Sequence, residues 1–195
     1  MIHIGPSIYS YIGDMGTFDK TGAGLQAGLQ FTKKRKLNGA ISLGFGQISD
    51  DDPRLTNSGL TNIPSPNSFF KTSFFFTSYD VQFNIINNGS FVFFISQGVG
   101  FMAFSIEDEN GEDLSAQTET RATNEDYRNS HILLPTSIGT RYKLADHVGL
   151  GVQISILNTN TDYLDNISSF GSSGNDNVLS MRFSAFFNLE VKRGE

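Results

Sequence analysis

The sequence predicts an eight-stranded, antiparallel, up-and-down transmembrane β-barrel that forms one all-β domain over residues 1–195. Apolar residues alternate with small or polar residues along most of the chain, which is the period of a strand with two unlike faces. The strand-like segments are joined alternately by short turns and by long polar loops, as in a meander that closes on itself. Charged side chains within these segments fall on one face only, and it is not the apolar face.

The alternation is clearest between Ala23 and Phe31, where Ala, Leu and Phe occupy the odd positions and Gly or Gln the even ones. Further segments repeat this pattern, and they are longer than the five or so residues that are typical of strands in soluble sheets. In chain order the predicted strands are Ile2–Ile12, Gly22–Thr32, Leu37–Ile48, Thr72–Ile86, Ser90–Phe104, Ser130–Tyr142, Val148–Asn158 and Val178–Val191.

Three of the connections are short, namely Lys33–Lys36, Asn87–Gly89 and Lys143–His147. The second contains an Asn-Gly pair, which favours a tight hairpin turn. The other connections are long and polar. In outer-membrane barrels the tight turns face the periplasm and the long loops face outward, so an even number of strands predicts that both termini are periplasmic.

The apolar face either fills the core of a soluble, lipocalin-like barrel or contacts lipid. The opposite face of a soluble barrel would be dense in charged residues, but here it carries mostly Gly, Ser, Gln and Asn. Such residues suit a narrow interior, and charge is kept off a lipid-facing surface because Arg or Lys at the bilayer midplane costs about 2–4 kcal/mol. We therefore predict that Leu25, Leu29 and Phe31 face lipid and that Gln26 and Gln30 face the interior.

The composition agrees with a membrane barrel and argues against several other classes of protein. The net charge of −6 is unfavourable for nucleic-acid binding, and no apolar run is long enough for a transmembrane helix. The chain has no cysteine, which excludes disulfides, thiolate metal sites and cysteine nucleophiles. The N-terminal stretch lacks the pattern of a signal peptide, so we expect any such signal to have been removed. No cofactor or metal is expected.

Asp80, Arg141 and Arg182 are charged residues on the predicted interior face. An eight-stranded barrel is just wide enough inside for its own side chains. We therefore expect these three residues to form a buried, ion-paired polar plug; a polar pore or an active site is the alternative.

Catalytic and metal-binding patterns are weak. His131 lies beside Ser130 at a strand end, where lipid hydrolases of the outer membrane use such residues, but no nucleophile motif surrounds the pair. The acidic run Asp50–Asp52 lacks the spacing of a calcium-binding loop, so we expect a solvated loop. We expect no enzymatic activity.

One tight turn concentrates positive charge, in Lys33, Lys34, Arg35 and Lys36. Such a cluster can bind anionic lipid headgroups or a periplasmic partner. It can equally be a solvated hairpin turn, and the sequence does not favour either interpretation.

Three stretches resemble a family of small outer-membrane barrels from Bacteroidetes-type bacteria. "YSYIGDM" resembles the YxGD opening of that family, and "GFGQISDDD" resembles its Gly-rich third strand and acidic loop. "TDYLDNIS" resembles the family's TDYLDDVS block, with matches at Asp162, Tyr163, Leu164 and Asp165 and with Asn166 in place of an acid. The family is that of PorG, the outer-membrane barrel of the type IX secretion machinery. The ending "NLEVKRGE" departs from such barrels, which usually end on an aromatic residue.

This resemblance implies a non-enzymatic role in the bacterial outer membrane. PorG-like barrels are thought to tether PorK and PorN, the periplasmic lipoprotein and ring components of the machinery. The expected partners are therefore outer-membrane lipid and proteins of that kind. Two alternatives stay open: a general OmpA- or OmpX-like barrel in adhesion or envelope integrity, and a lipid-modifying enzyme of the outer membrane.

Overall fold

The computed structural model describes residues 1–13, 20–31, 36–51, 69–117, 127–167 and 174–189. These residues form eight strands and one short 3₁₀ turn at Leu114–Ala116. No helix within them is long and apolar enough to span a membrane. In chain order the strands are β1 (Ile2–Ile12), β2 (Gly22–Phe31), β3 (Leu37–Asp51), β4 (Phe69–Asn87), β5 (Phe91–Glu107), β6 (Ser130–Lys143), β7 (Val148–Thr159) and β8 (Asn177–Phe187).

The strands form one closed sheet. Each strand pairs antiparallel with its neighbours in sequence, and β8 pairs with β1, where Met181 lies opposite Ile8. Closure lets neighbouring strands satisfy each other's backbone hydrogen bonds and leaves no sheet edge. The predicted fold class, a closed eight-stranded antiparallel up-and-down barrel, is confirmed.

Three strands extend further toward the long loops than the sequence predicted. β3 continues to Asp51, β4 begins at Phe69, and β5 ends at Glu107. Continued pairing explains the difference, because Asp51 lies opposite Phe69 and Lys71 lies opposite Glu107. The last pair also forms a salt bridge, with Lys71 Nζ 3.3 Å from a Glu107 carboxylate oxygen.

The extension of β3 corrects the prediction for the acidic run. Asp50 and Asp51 belong to the strand rather than to a loop. Asp50 is buried at 1% exposure, whereas Asp51 forms a salt bridge of 2.6 Å with Lys20 Nζ. Asp52 lies outside the described residues.

Two predicted strand ends lie at the tight-turn side. β8 ends at Phe187, before its predicted end at Val191. The partner strand β7 begins at Val148, which lies opposite Phe187, so β8 has no further residue of β7 to pair with. Residues 190–195, and Thr32 at the predicted end of β2, lie outside the described residues.

The outer surface of the barrel is apolar, and large hydrophobic side chains are exposed on all eight strands. Leu29 and Phe31 are exposed on this surface and Leu25 is half-buried, while Gln26 and Gln30 are buried inside, as predicted. Apolar surface of this extent is unfavourable in water. It matches the lipid-facing band of membrane barrels.

Glycines on the inner face make room for aromatic rings. A Cβ atom at Gly46 would collide with the Tyr9 ring, and one at Gly44 would collide with the Phe76 ring. Gly89 has a different role, since it lies in the tight turn after β4 with a φ of 90°, which side chains disfavour. These inner-face glycines therefore let bulky aromatic rings fit into a narrow interior.

Candidate functional site

The barrel interior has two chemically different halves. The half near the long loops is a hydrophobic core, whereas the half near the tight turns is filled with polar side chains. The sequence predicted an interior face of mostly Gly, Ser, Gln and Asn, so the extent of the apolar half was missed. Its buried members are Tyr9, Tyr11, Ile48, Phe70, Phe74, Phe76, Met102, Phe104, Ile106, Leu114, Leu133, Leu157, Tyr163, Leu164, Ile167 and Val178.

Aromatic pairs pack the apolar half. The Tyr9 and Phe74 rings meet edge to face with centroids 4.9 Å apart, and the Tyr11 and Phe70 rings meet in the same way at 4.9 Å. Each such pair contributes about 0.5–1.5 kcal/mol beyond the burial of its area. The Tyr9 hydroxyl marks the boundary between the halves, because it accepts a hydrogen bond from Gln26 Nε2 at 3.0 Å.

Glutamine side chains hold the two arginines of the polar half. Arg182 donates through Nη1 to Gln26 Oε1 at 3.3 Å and through Nη2 to Gln153 Oε1 at 2.5 Å. Arg141 donates through Nη1 to Gln30 Oε1. Both guanidinium groups therefore have neutral amide oxygens as hydrogen-bond acceptors.

Asp80, the third predicted plug residue, has other partners. Its Oδ2 accepts hydrogen bonds from Ser42 Oγ at 2.9 Å and from Ser78 Oγ at 3.0 Å. Among the described residues no ion pair joins Asp80 to Arg141 or Arg182. The three residues share one interior, but the direct ion pairing expected from the sequence was wrong, because interior serine and glutamine side chains form the hydrogen bonds instead.

We expect the barrel not to conduct ions in a stable manner. The two arginines and their glutamine partners pack the polar half around a cavity of about 30 Å³, and aromatic side chains pack the other half. Planar-bilayer recordings of the refolded protein should show transient leak at most. Stable, ohmic current steps would contradict a plugged interior.

The matched stretch Asp162, Tyr163, Leu164 and Asp165 folds into the mouth of the barrel at the long-loop end. Tyr163 and Leu164 are 6% and 0% exposed and belong to the hydrophobic core. Thr72 Oγ1 on β4 donates to the Leu164 carbonyl at 2.5 Å. Residues 162–167, called the mouth cap below, therefore close the apolar half from above.

Three buried side chains form a hydrogen-bonded cluster under the mouth cap. The Tyr11 hydroxyl lies 2.9 Å from Asp165 Oδ2 and 2.5 Å from Asp176 Oδ1. The other two carboxyl oxygens accept the N–H groups of Leu164 and Ile167, each at 2.8 Å. A phenol has one proton to donate, so two short contacts with carboxyl oxygens favour a state in which one carboxyl group carries a proton.

We assign this proton to Asp176. This carboxyl is 1% exposed and lies just before β8. Burial, followed by repulsion from the Asp165 carboxylate, raises the pKa of Asp176 well above its usual range. A protonated Asp176 donates to the Tyr11 oxygen, and the Tyr11 hydroxyl then donates to Asp165.

The cluster joins two of the stretches that carry the PorG resemblance. Tyr11 belongs to "YSYIGDM" and Asp165 to "TDYLDNIS", 154 positions later in the chain. The sequence analysis missed Asp176 because no motif marks it. One signal was available, since Tyr11 lies on the inner face of β1, where a tyrosine hydroxyl needs a hydrogen-bond partner.

The basic turn is described only in part. Lys36 is exposed immediately before β3. Lys33, Lys34 and Arg35 lie outside the described residues. A partner contact at this turn stays a prediction.

His131 packs against its neighbours. Its Nε2 lies 2.6 Å from the Arg128 carbonyl oxygen, and its ring stacks on Phe104 with centroids 5.7 Å apart. No hydrogen bond to Ser130 is formed in the described part of the chain. No group of three or more His, Asp or Glu side chains there is arranged to hold a metal ion.

Solved structures show what this barrel is similar to. It matches neisserial surface protein A over 96% of both chains, with 10% sequence identity and a TM-score of 0.58. It matches Ail, the attachment invasion locus protein of Yersinia pestis, over 95% of both chains, with 12% identity and a TM-score of 0.56. The fold is that of the small outer-membrane β-barrels. No protein-family model matches the chain, and no curated protein sequence matches it.

Proposed function

We propose that this protein is a non-enzymatic barrel of a bacterial outer membrane that anchors periplasmic components of the type IX secretion machinery. The observation that carries the proposal is the hydrogen bond between Tyr11 and Asp165. Through this bond, two stretches that resemble the PorG family contact each other. Both contribute to one structural feature, the hydrogen-bonded cluster under the mouth cap. Matches that build one feature together are more specific than separate short matches.

The two faces of the barrel support a role as an anchor. The apolar outer surface suits a bilayer, and the described side chains pack the interior. The surfaces left for function are the loops and the turns. By the rule for outer-membrane barrels, the tight turns and both termini face the periplasm.

The basic turn is the proposed contact with periplasmic partners. Lys33, Lys34, Arg35 and Lys36 carry four positive charges in a short connection. Charge of this density attracts an acidic protein surface, and the attraction weakens as salt is added. The PorK- and PorN-like components implied by the family resemblance are the proposed partners.

The experiment is a detergent pull-down from native membranes, read by mass spectrometry. Replacing all four basic residues of the turn by Glu is expected to leave the barrel folded and to remove the secretion components from the eluate. The matched control reverses charge at the other end of the barrel, with Glu109→Lys and Glu112→Lys, two exposed residues after β5. The control should retain the partners. Retention by the turn variant would contradict the proposed contact.

A general adhesin-like barrel is the second candidate. β3, β4 and β5 continue toward the long loops as a paired sheet, with Asp51 opposite Phe69 and Lys71 opposite Glu107. Such an extension offers a surface on the outer side, and Ail, an attachment invasion locus protein, has a similar fold. Loss of partners in the loop control but not in the turn variant would favour this candidate.

A further inference from the structure

The polar half of the interior contains a small cavity. Its volume is about 30 Å³, and its lining includes His3, Ser42, Asp80, Arg141 and Arg182. That volume holds roughly two water molecules or one monatomic ion. Sulfate, phosphate and organic anions are too large for it.

The charges around this cavity do not balance. Two guanidinium groups and one carboxylate are the charged side chains of the described lining. Asp80 accepts hydrogen bonds from two serine hydroxyls and attracts Arg182, but it forms no salt bridge with either arginine among the described residues. Arg141 and Arg182 are close enough to repel each other. A guanidinium cannot lose its proton in a protein, so the surplus positive charge persists.

An unused hydrogen-bond donor lies at the same place. Arg182 is only 7% exposed, and its Nε–H has no partner among the described residues although both terminal nitrogens are used. A buried donor without an acceptor is unfavourable, and more so when it belongs to a charged group. The hydrogen-bond partners of Arg182 are neutral amide oxygens. An anion is therefore the acceptor that would best suit its unused Nε–H.

We propose that this cavity binds one small monovalent anion, such as chloride, held by Arg182 with Arg141 nearby. The ion balances the second positive charge and accepts the unused Nε–H of Arg182. Entry is from the tight-turn end, where a wider pocket of about 360 Å³ also reaches Arg141. The hydrophobic core closes the opposite end. The site is independent of the proposed anchoring role.

The test compares thermal unfolding of the micelle-bound barrel in sodium chloride and in sodium gluconate at equal ionic strength. Gluconate is too large for the cavity and serves as the non-binding anion. A ligand that binds only the folded state raises its stability with the logarithm of ligand concentration. We expect the midpoint to rise as gluconate is replaced by chloride. Crystals grown in bromide should show an anomalous peak beside the Arg182 guanidinium.

Three variants separate this site from general salt effects. Arg182→Gln should lose the chloride-dependent shift, whereas Lys71→Gln, at a salt bridge with Glu107 near the long-loop end, should keep it. Asp80→Asn removes a repulsive carboxylate, so it should shift the response to lower chloride concentrations. If Asp80 alone balanced the arginines, this variant would lose stability and create a new chloride response absent from the unchanged protein.

The result that overturns the proposal is equal midpoints in chloride and gluconate for the unchanged protein, with water alone beside Arg182 in the bromide crystal. If Arg182→Gln does not fold, the chloride responses of the unchanged protein and of Asp80→Asn test the proposal. An unchanged chloride response in a folded Arg182→Gln variant would also overturn it.

Discussion

Ile138→Arg and Phe183→Arg are each expected to destabilise the folded barrel by about 2–4 kcal/mol and to prevent most of the chain from folding into bilayers. Ile138 and Phe183 are each 45% exposed on the outer face, in the middle of β6 and β8. An arginine at either position would carry its charge into hydrocarbon. Folding is measured from heat-modifiable gel mobility after dilution of the urea-denatured chain into lipid vesicles.

The matched control for this prediction is Ser130→Arg. Ser130 begins β6 and is exposed on the same outer face as Ile138, but it lies at the long-loop end of the strand. The cost of a lipid-facing arginine falls to about 0–1 kcal/mol near the interface. Equal tolerance of Ile138→Arg and Ser130→Arg would contradict the assignment of the apolar face to lipid.

Asp176→Ala is expected to release the mouth cap. The substitution removes the acceptor of the Leu164 N–H and one partner of the Tyr11 hydroxyl, both of which are buried. A buried donor without a partner costs about 1–3 kcal/mol. Protection of the Leu164 and Ile167 amides against hydrogen exchange should therefore fall by roughly ten- to a hundredfold. Asn160→Ala, at an exposed position between β7 and the mouth cap, should not change it.

Asp176→Asn is expected to preserve the mouth cap and to remove its pH dependence. An amide at this position can donate to Tyr11 and accept from the Leu164 N–H, as the protonated carboxyl does. In the unchanged protein the pKa of Asp176 is raised on folding, so the folded state binds more protons than the unfolded state above about pH 4. Stability therefore falls as pH rises from that value toward the raised pKa.

This slope is measured by urea unfolding of the micelle-bound protein over a series of pH values. Asp176→Asn should flatten the part of the slope that this carboxyl contributes. A slope that stays the same in Asp176→Asn would contradict a protonated Asp176 in the folded barrel.

The fold was predictable because its determinants are local. The alternation of apolar and polar residues was enough to place β1 at Ile2–Ile12, as observed. The same alternation placed Gln26 and Gln30 on the face that lies inside the barrel. The extension of β3 and β4 was missed because the pairing of Asp51 with Phe69 joins residues across a long connection. Local composition in that stretch resembles a loop.

The candidate site was only partly predictable. The alternation of inward and outward positions placed Asp80, Arg141 and Arg182 in one interior. It did not show which interior serines and glutamines would form hydrogen bonds with them. The mouth cap depends on Asp176, which meets Tyr11 only after the barrel closes. Partner choice of this kind is set by three-dimensional distances between strands and not by spacing along the chain.

The most direct test of the membrane-barrel account is tryptophan quenching by brominated lipids. The chain has no tryptophan, so Phe75→Trp and Phe76→Trp each introduce a single reporter. These adjacent residues on β4 share one depth but face opposite sides, with 51% and 2% exposure. In vesicles of brominated phosphatidylcholine, the fluorescence of folded Phe75→Trp should be strongly quenched and that of folded Phe76→Trp should be nearly unchanged. Equal quenching, or stronger quenching of Phe76→Trp, would contradict a barrel with its apolar face in lipid.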